Sequence, residues 1–325
     1  MSYLVECELC PRHCRLNDGQ RGNCRVRVNV KGELFSLVYG NPCAVHVDPI
    51  EKKPLFHVLP ASTSFSIATA GCNLHCKYCQ NWQISQVPPE KTDNYDLPPQ
   101  NVVREALGAR CRSISYTYSD PIVFYEYCLD TSRLAHTHGL LNVMVTAGYI
   151  EKKPLLELCP HIDAANVDLK GITDDFYRNM SEATLQPVLD AIMIMKQNNV
   201  FVELTNLVVP TWNDKPKDIR NLCRWVAQNP GKDTPVHFSR FTPMHKLTNL
   251  PPTPVETLSM AWDIAKEEGL QFAYVGNVPR HPGNNTYCPN DQKLLLKRNG
   301  YTILENHIID GKCEFCQTPI PGIWK

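Results

Sequence analysis

The sequence predicts an α/β protein: a partial (β/α)6 TIM barrel with small Cys-rich N- and C-terminal metal-binding extensions. Three observations lead there. Short β-rich runs alternate with helical patterns between residues 64 and 275, the mark of a parallel sheet wrapped by helices. The units number six, too few for a closed eight-stranded barrel, so an open barrel comes first and a doubly wound sheet second. Cysteines crowd the segments on either side, which divides the chain into 1–63, 64–275 and 276–325.

The elements follow in order. Residues 1–63 carry Cys7, Cys10, Cys14 and Cys24, then "GNCRVRVNVKGELFSLVYG", a β-hairpin around Lys31 and Gly32 suited to cap the barrel bottom or hold the front cysteines. The first barrel strand is "SFSIATA" (64–70), broken by Gly71 just before Cys72, Cys76 and Cys79. A Pro-rich loop (87–100) precedes the remaining strands at 113–118, 140–146, 162–169, 201–209 and 235–241. Helices are expected near 100–109, 121–138, 184–198, 215–228 and 254–268, with Pro187 displacing the first turn of the third. Thr253, Pro254 and Glu256 suit the start of the last helix.

Composition narrows the function. The 33 basic and 33 acidic residues cancel, so no broad field argues for nucleic acid or an anionic membrane. Neither a signal peptide nor an apolar run of about 20 residues is visible, which reads as cytoplasmic. In that reducing compartment the 15 cysteines need a use other than disulfides. Cys43, Cys111, Cys128, Cys159 and Cys223 are scattered and read as small buried hydrophobes.

The loop "CNLHCKYCQNWQIS" is the chemical centre of the sequence. Its three thiolates, close together and directly after a strand, can hold three corners of an iron–sulfur cubane and leave one iron open. A zinc loop is the plain alternative. The Cys-x3-Cys-x2-Cys spacing, with Tyr78 before the last cysteine, resembles the signature of radical S-adenosylmethionine (SAM) enzymes. That resemblance implies a [4Fe–4S] cluster whose open iron chelates the amino and carboxylate groups of SAM. It also implies reductive cleavage to methionine and a 5'-deoxyadenosyl radical, with flavodoxin or ferredoxin as the low-potential donor.

Further positions resemble the pyruvate formate-lyase activating enzyme branch of that family. Ser119 and Asp120 end the second strand, where relatives hold the SAM amino group with a Gly-Gly-Glu-like segment. Thr146 and Gly148 end the third strand and Asp168 and Lys170 the fourth, while Thr205 and His237 lie on the fifth and sixth. Tyr78, Ser119, Asp120, Thr146, Asp168, Lys170, Thr205 and His237 are thus the implied SAM-site residues. Relatives hold a monovalent cation with an Asp-Thr pair where this chain has Val145 and Thr146, which puts that cation in doubt here.

Over nearly its full length the chain resembles the radical SAM component of the AmmeMemoRadiSam system. The carriers are "CELCPRHCRLNDGQRGNCRVR", "DPIEKKPLFHVLP", "ELTNLVVPTWND", "YVGNVP" and "GKCEFCQTPIPGIW". This implies AMMECR- and Memo-domain partners, and His57 lies in one of these stretches. The four front cysteines suit a structural zinc site or an auxiliary iron–sulfur cluster. At the other end Cys288, Asp291, Cys313 and Cys316 resemble two knuckles of a zinc ribbon or rubredoxin-like fold, with His281 or His307 as substitutes for Asp291. The leading expectation is a radical SAM enzyme acting on a small molecule or partner protein. The alternatives are a glycyl-radical activating enzyme and a non-catalytic iron–sulfur or zinc scaffold or electron carrier.

Overall fold

The computed structural model describes residues 3–325. Its centre is one eight-stranded sheet in which sequence neighbours are also spatial neighbours. The strands are β1 (Ala44–Pro49), β2 (Thr63–Ala68), β3 (Ser113–Tyr116), β4 (Leu141–Thr146), β5 (Ala164–Asp168), β6 (Phe201–Val208), β7 (Val236–Arg240) and β8 (Ala273–Gly276). All neighbours pair in parallel except β1 with β2. The main helices are α1 (Pro99–Gly108), α2 (Tyr125–Thr137), α3 (Lys152–Leu158), α4 (Asp174–Ser181), α5 (Gln186–Gln197), α6 (Pro216–Val226) and α7 (Val255–Glu267). They cover the sheet and share one large apolar core with it.

The partial barrel is present, and its six predicted strands are all there. The edges differ from expectation: β1 and β8 extend the sheet on both sides, so residues 1–63 contribute a strand. Two helices, α3 and α4, were not anticipated. The helix expected over 121–138 begins with a 3-10 turn at Pro121–Phe124, because the Asp120 side chain accepts from the Ile122 amide and Pro121 starts the turn. Pro187 sits in the first turn of α5, where a missing N–H costs nothing.

The N-terminal hairpin is Arg27–Val30 paired with Glu33–Ser36, and its turn residues Lys31 and Gly32 both have positive φ, as a two-residue hairpin turn requires. It does not cap the barrel bottom. The residues leading into it press on Gly71, at the opposite, C-terminal end of β2. There φ is +86°, and a Cβ would lie 2.5 Å from the Cys24 carbonyl and 2.6 Å from Val26. Only glycine fits that approach.

The bottom is closed instead by the segment between β1 and β2. Ile50, Leu55, Val58 and Leu59 pack against Val143 and Ala164, near the start of β4 and β5. The same segment anchors the C-terminal module: the buried Arg298 guanidinium lies over the Phe56 ring and donates to the Phe56 carbonyl at 2.9 Å. That module is a three-stranded antiparallel sheet and a short ribbon around a small core that includes Cys288 and Cys313. Among the described residues no helix is long and apolar enough to cross a membrane. Of the scattered cysteines, Cys111, Cys128, Cys159 and Cys223 are buried and Cys43 is half-buried.

Candidate active site

A cavity of about 850 Å³ runs through the barrel interior, where the C-terminal strand ends of such folds carry their chemistry. Cys72, Cys76 and Cys79 line it, as do Tyr78, Ser119, Asp120, Thr146, Asp168, Lys170, Thr205 and His237. Every SAM-site residue named from the sequence therefore meets at one cavity.

The cysteine loop is pinned from outside. The amides of His75 and Lys77 donate to the carbonyls of Ser181 and Met180 at the end of α4, at 3.0 and 2.9 Å. The sulfurs have polar neighbours: Ser181 Oγ lies 3.4 Å from Cys76 Sγ, Ser85 Oγ lies 3.1 Å from Cys79 Sγ, and the Leu74 amide donates to Cys72 Sγ at 3.4 Å. Burial raises the Cys72 and Cys76 thiol pKa values above the ordinary range. A cluster held by these cysteines would displace their protons.

Around that loop the polar side chains are partly committed to one another. Asp120 accepts from Thr146 Oγ1 at 3.0 Å and from the amides of Ala147 and Ile122 at 2.8 and 3.1 Å. Burial raises its pKa, against those donors. Asp120 thus joins the ends of β3 and β4, and Ser119 is held to the Thr69 carbonyl. Lys170 pairs with Asp168 at 2.8 Å; burial opposes its charge, but Asp168, Cys76 and Tyr78 prevail and raise its pKa. His237 donates from Nε2 to Glu203 Oε2 at 2.6 Å. Thr205 Oγ1 has no hydrogen-bond partner.

The structure adds residues the sequence did not single out. From the plug, Glu51, Lys53 and Phe56 reach the cavity floor, joined by Tyr118 and Asn166. Lys53 is 1% exposed. Its ammonium lies 2.5 Å from Asp48 and over the Tyr118 ring at 4.4 Å. Burial lowers its pKa to about 8 although Asp48 favours the charge. Nothing in the sequence marked it, because "EKKP" reads as solvated surface. His57 does not line the cavity: it lies beneath it, with Nδ1 2.6 Å from the Pro321 carbonyl and Nε2 2.6 Å from the Tyr274 hydroxyl.

Both outer cysteine sets converge. Cys288, Asp291, Cys313 and Cys316 place their ligand atoms within 4.8 Å of one another, so Asp291 takes the position for which His281 and His307 were the substitutes. His281 instead faces Ser259, and His307 faces Glu314. Cys7, Cys10, Cys14 and Cys24 surround a small cavity with Arg27 and Asn73.

Residues 66–225 match the radical SAM superfamily. The chain contains a radical SAM domain. An uncharacterized protein of Methanocaldococcus jannaschii, MJ0808, is 46% identical over 314 residues, covering 96% of this chain and 93% of that protein. The pyruvate formate-lyase-activating enzyme of Clostridium pasteurianum is 24% identical over 162 residues, covering 48% of this chain and 66% of that enzyme. The crystal structure of a radical SAM methyltransferase from Sphaerobacter thermophilus superposes with a TM-score of 0.52 at 16% identity, covering 71% of this chain and 70% of that one, and so shares the fold.

Radical SAM membership implies a [4Fe–4S] cluster and SAM. The cysteine loop fits the cluster: Cys72, Cys76 and Cys79 come from one short loop and all line one cavity. When bound, the cluster supplies the electron that cleaves SAM. Cys72, Cys76 and Cys79 are the residues that would hold the cluster, and the polar side chains at the β3–β6 ends would offer charge and hydrogen bonds beside it.

Proposed function

We propose that this enzyme generates a 5'-deoxyadenosyl radical to abstract hydrogen from a small polar substrate seated on the cavity floor. The observation that carries this reading is a set of unspent polar groups there. Thr205 Oγ1, Asn166 Oδ1 and Glu51 Oε2 are buried without a hydrogen-bond partner, and all three residues line the cavity together with Lys53. Buried polar atoms are rarely left unpaired, so a ligand bearing hydrogen-bond donors would satisfy the Asn166 and Glu51 oxygens, with Thr205 able to donate or accept. In this reading Ser119, Thr146, Asp168 and Lys170 serve SAM, with Asp120 acting through the segment it holds, and His237 faces substrate or SAM from β7.

The C-terminal module supports an enclosed site, because Gly300 and Tyr301 contribute to the cavity wall. Its three thiolates and one carboxylate suit a structural zinc. AMMECR- and Memo-domain proteins are the proposed partners, in the cytoplasm, with a flavodoxin or ferredoxin as donor.

A second reading is glycyl-radical installation on a partner protein, favoured by the similarity to the Clostridium pasteurianum activating enzyme. An extract of the source cells, split by ultrafiltration, separates the two. The small-molecule reading expects the low-mass fraction to accelerate 5'-deoxyadenosine formation, and a Lys53→Met protein to lose that acceleration. Acceleration by the macromolecular fraction alone would support the partner-protein reading.

A further inference from the structure

Three lysines line the cavity: Lys52 and Lys53 from the plug, and Lys170 just past the end of β5. Lys53 and Lys170 are both buried, and each meets a carboxylate. Their surroundings act on them in opposite directions. At Lys170 burial opposes the charge, but Asp168, Cys76 and Tyr78 outweigh it and raise the pKa. At Lys53 burial prevails over Asp48, Lys52 adds repulsion, and the pKa falls to about 8.

The difference lies in how Asp48 shares its charge. Its Oδ1 accepts from Lys52 at 2.8 Å and its Oδ2 from Lys53 at 2.5 Å. Two cations thus face one carboxylate, and the three groups together carry one positive charge in excess. Lys52 alone balances Asp48 from the solvent side, with its side chain 43% exposed. When Lys53 loses its proton, a neutral ion pair remains in place of a buried net charge, which burial favours.

Tyr118 completes the set. Its hydroxyl donates to Asp48 Oδ2 and lies 3.4 Å from Lys53 Nζ, and its ring centre is 4.4 Å from the same nitrogen. Burial and Asp48 raise its pKa, so the phenol keeps its proton. The Tyr118 backbone has a φ of +63°, which residues other than glycine rarely adopt. Its carbonyl is held there by Asn81 Nδ2 at 2.8 Å, from the loop just after Cys79. Strain of this kind persists where the surroundings impose it, and it gathers at functional sites. An amine, a carboxylate and a protonated phenol therefore meet beside one cavity.

We propose that Lys53 is a nucleophile that captures an aldehyde or ketone substrate as an imine, with Asp48 and Tyr118 moving the protons. Lysines set in apolar surroundings or beside a second cation form such imines. The ammonium passes one proton to Asp48, and the freed Nζ pair bonds to the carbonyl carbon. The carbonyl oxygen takes a proton from Tyr118, which recovers one from Asp48. A second nitrogen proton follows the same route to the new hydroxyl. That hydroxyl leaves as water with the C–O bonding pair, and the nitrogen pair closes the iminium. One ammonium and one carbonyl give one iminium and one water, so no oxidant or reductant is needed. The imine chemistry stands on the floor residues alone. Its use, hydrogen abstraction beside the iminium to leave a delocalised radical, rests on the radical reading proposed above.

The test uses the full chain, reconstituted with iron and sulfide, with neither SAM nor titanium added. Formaldehyde and cyanoborohydride trap each imine as a methylated lysine, and peptide mass mapping follows every lysine with time at neutral pH. Lys53 should be methylated at least about tenfold faster than the exposed Lys153 and Lys217, because its lowered pKa leaves more free amine. A Tyr118→Phe protein should label Lys53 several-fold more slowly, with its thermal transition and its Lys153 rate unchanged. A Lys53 that stays unmodified, or reacts no faster than Lys153 and Lys217, would overturn the proposal and leave a structural ion pair. Undiminished labelling in Tyr118→Phe would remove the phenol from the step. No outcome depends on 5'-deoxyadenosine, so failure here is distinct from failure of the radical reading.

Discussion

Glu203 bridges His237, which lines the cavity, and His57 beneath it: its Oε2 accepts from His237 Nε2 at 2.6 Å, and its Oε1 accepts from the His57 backbone amide at 2.8 Å. Glu203 is 0% exposed and His237 2%. Burial works against the carboxylate's charge, but His237 and the His57 amide outweigh it and lower its pKa. Replacing Glu203 with alanine leaves a buried imidazole and a buried amide without partners. The expected cost is about 3 kcal/mol, read as a lower urea midpoint. A midpoint unchanged by Glu203→Ala would show that the pair contributes nothing to the fold.

His57 sets a pH limit on stability. In its neutral form Nδ1–H donates to the Pro321 carbonyl and Nε2 accepts from Tyr274, so the ring is satisfied without a proton. Burial lowers its pKa from 6.5 to about 4. Below pH 6.5 the unfolded chain takes up a proton that the folded chain refuses until about pH 4, so stability falls as pH drops through that window. The loss is on the order of 3 kcal/mol for the full interval. Urea midpoints at pH 7.5 and pH 5 check it: His57→Gln should show a shallower fall than the unsubstituted protein, and parallel falls would place the pH dependence elsewhere.

Gly71→Ala should unseat the front module from the cysteine loop. A Cβ there meets backbone and a packed valine, not a flexible side-chain tip, and positive φ adds strain. The expected outcome is reduced cluster retention, measured as iron per chain after gel filtration, with the C-terminal site still loaded. Full iron retention would show that the loop yields.

Removing the C-terminal metal should act at a distance. The module bolts onto the plug through Arg298 and Phe56, and the Phe56 ring packs edge-on to His237 at 4.7 Å. With the proposed structural zinc at this site, a Cys316→Ala protein is expected to lose the metal and to melt several degrees lower. A protein that keeps its zinc would show that three ligands suffice.

Much of this fold was legible because the inner strands are wholly or largely buried and several are rich in strand-forming residues, as in Ser113–Tyr116 and Phe201–Val208. The edges were not. β8 has four residues, and β1 ends at a proline and is only partly buried, so both depend on pairing with a neighbour. The helix α4 was missed because its 8 residues are too few for a periodic pattern to stand out, although Phe176, Tyr177 and Met180 form a buried face. Its task, holding the cysteine loop by two carbonyls, is tertiary.

The cavity was half legible. The cysteine spacing announced the cluster, and strand-end polar residues could be placed on one face from topology. Lys53 could not, since "EKKP" reads as solvated surface; only the meeting with Asp48 and Tyr118 explains a buried ammonium. Chain spacing was equally silent on whether Asp291 would meet Cys288, Cys313 and Cys316, which the folded backbone decides.

The central claim, that Cys72, Cys76 and Cys79 support radical SAM chemistry, is tested most directly by product formation. The protein is purified anaerobically, reconstituted with iron and sulfide, and given SAM and titanium(III) citrate. 5'-Deoxyadenosine is then measured by chromatography with mass detection. The account predicts that the unsubstituted protein forms it and that Cys76→Ala forms none. A protein with a verified [4Fe–4S] cluster that forms none, alone or with AMMECR- and Memo-domain proteins added, would contradict it and leave a metal-binding scaffold.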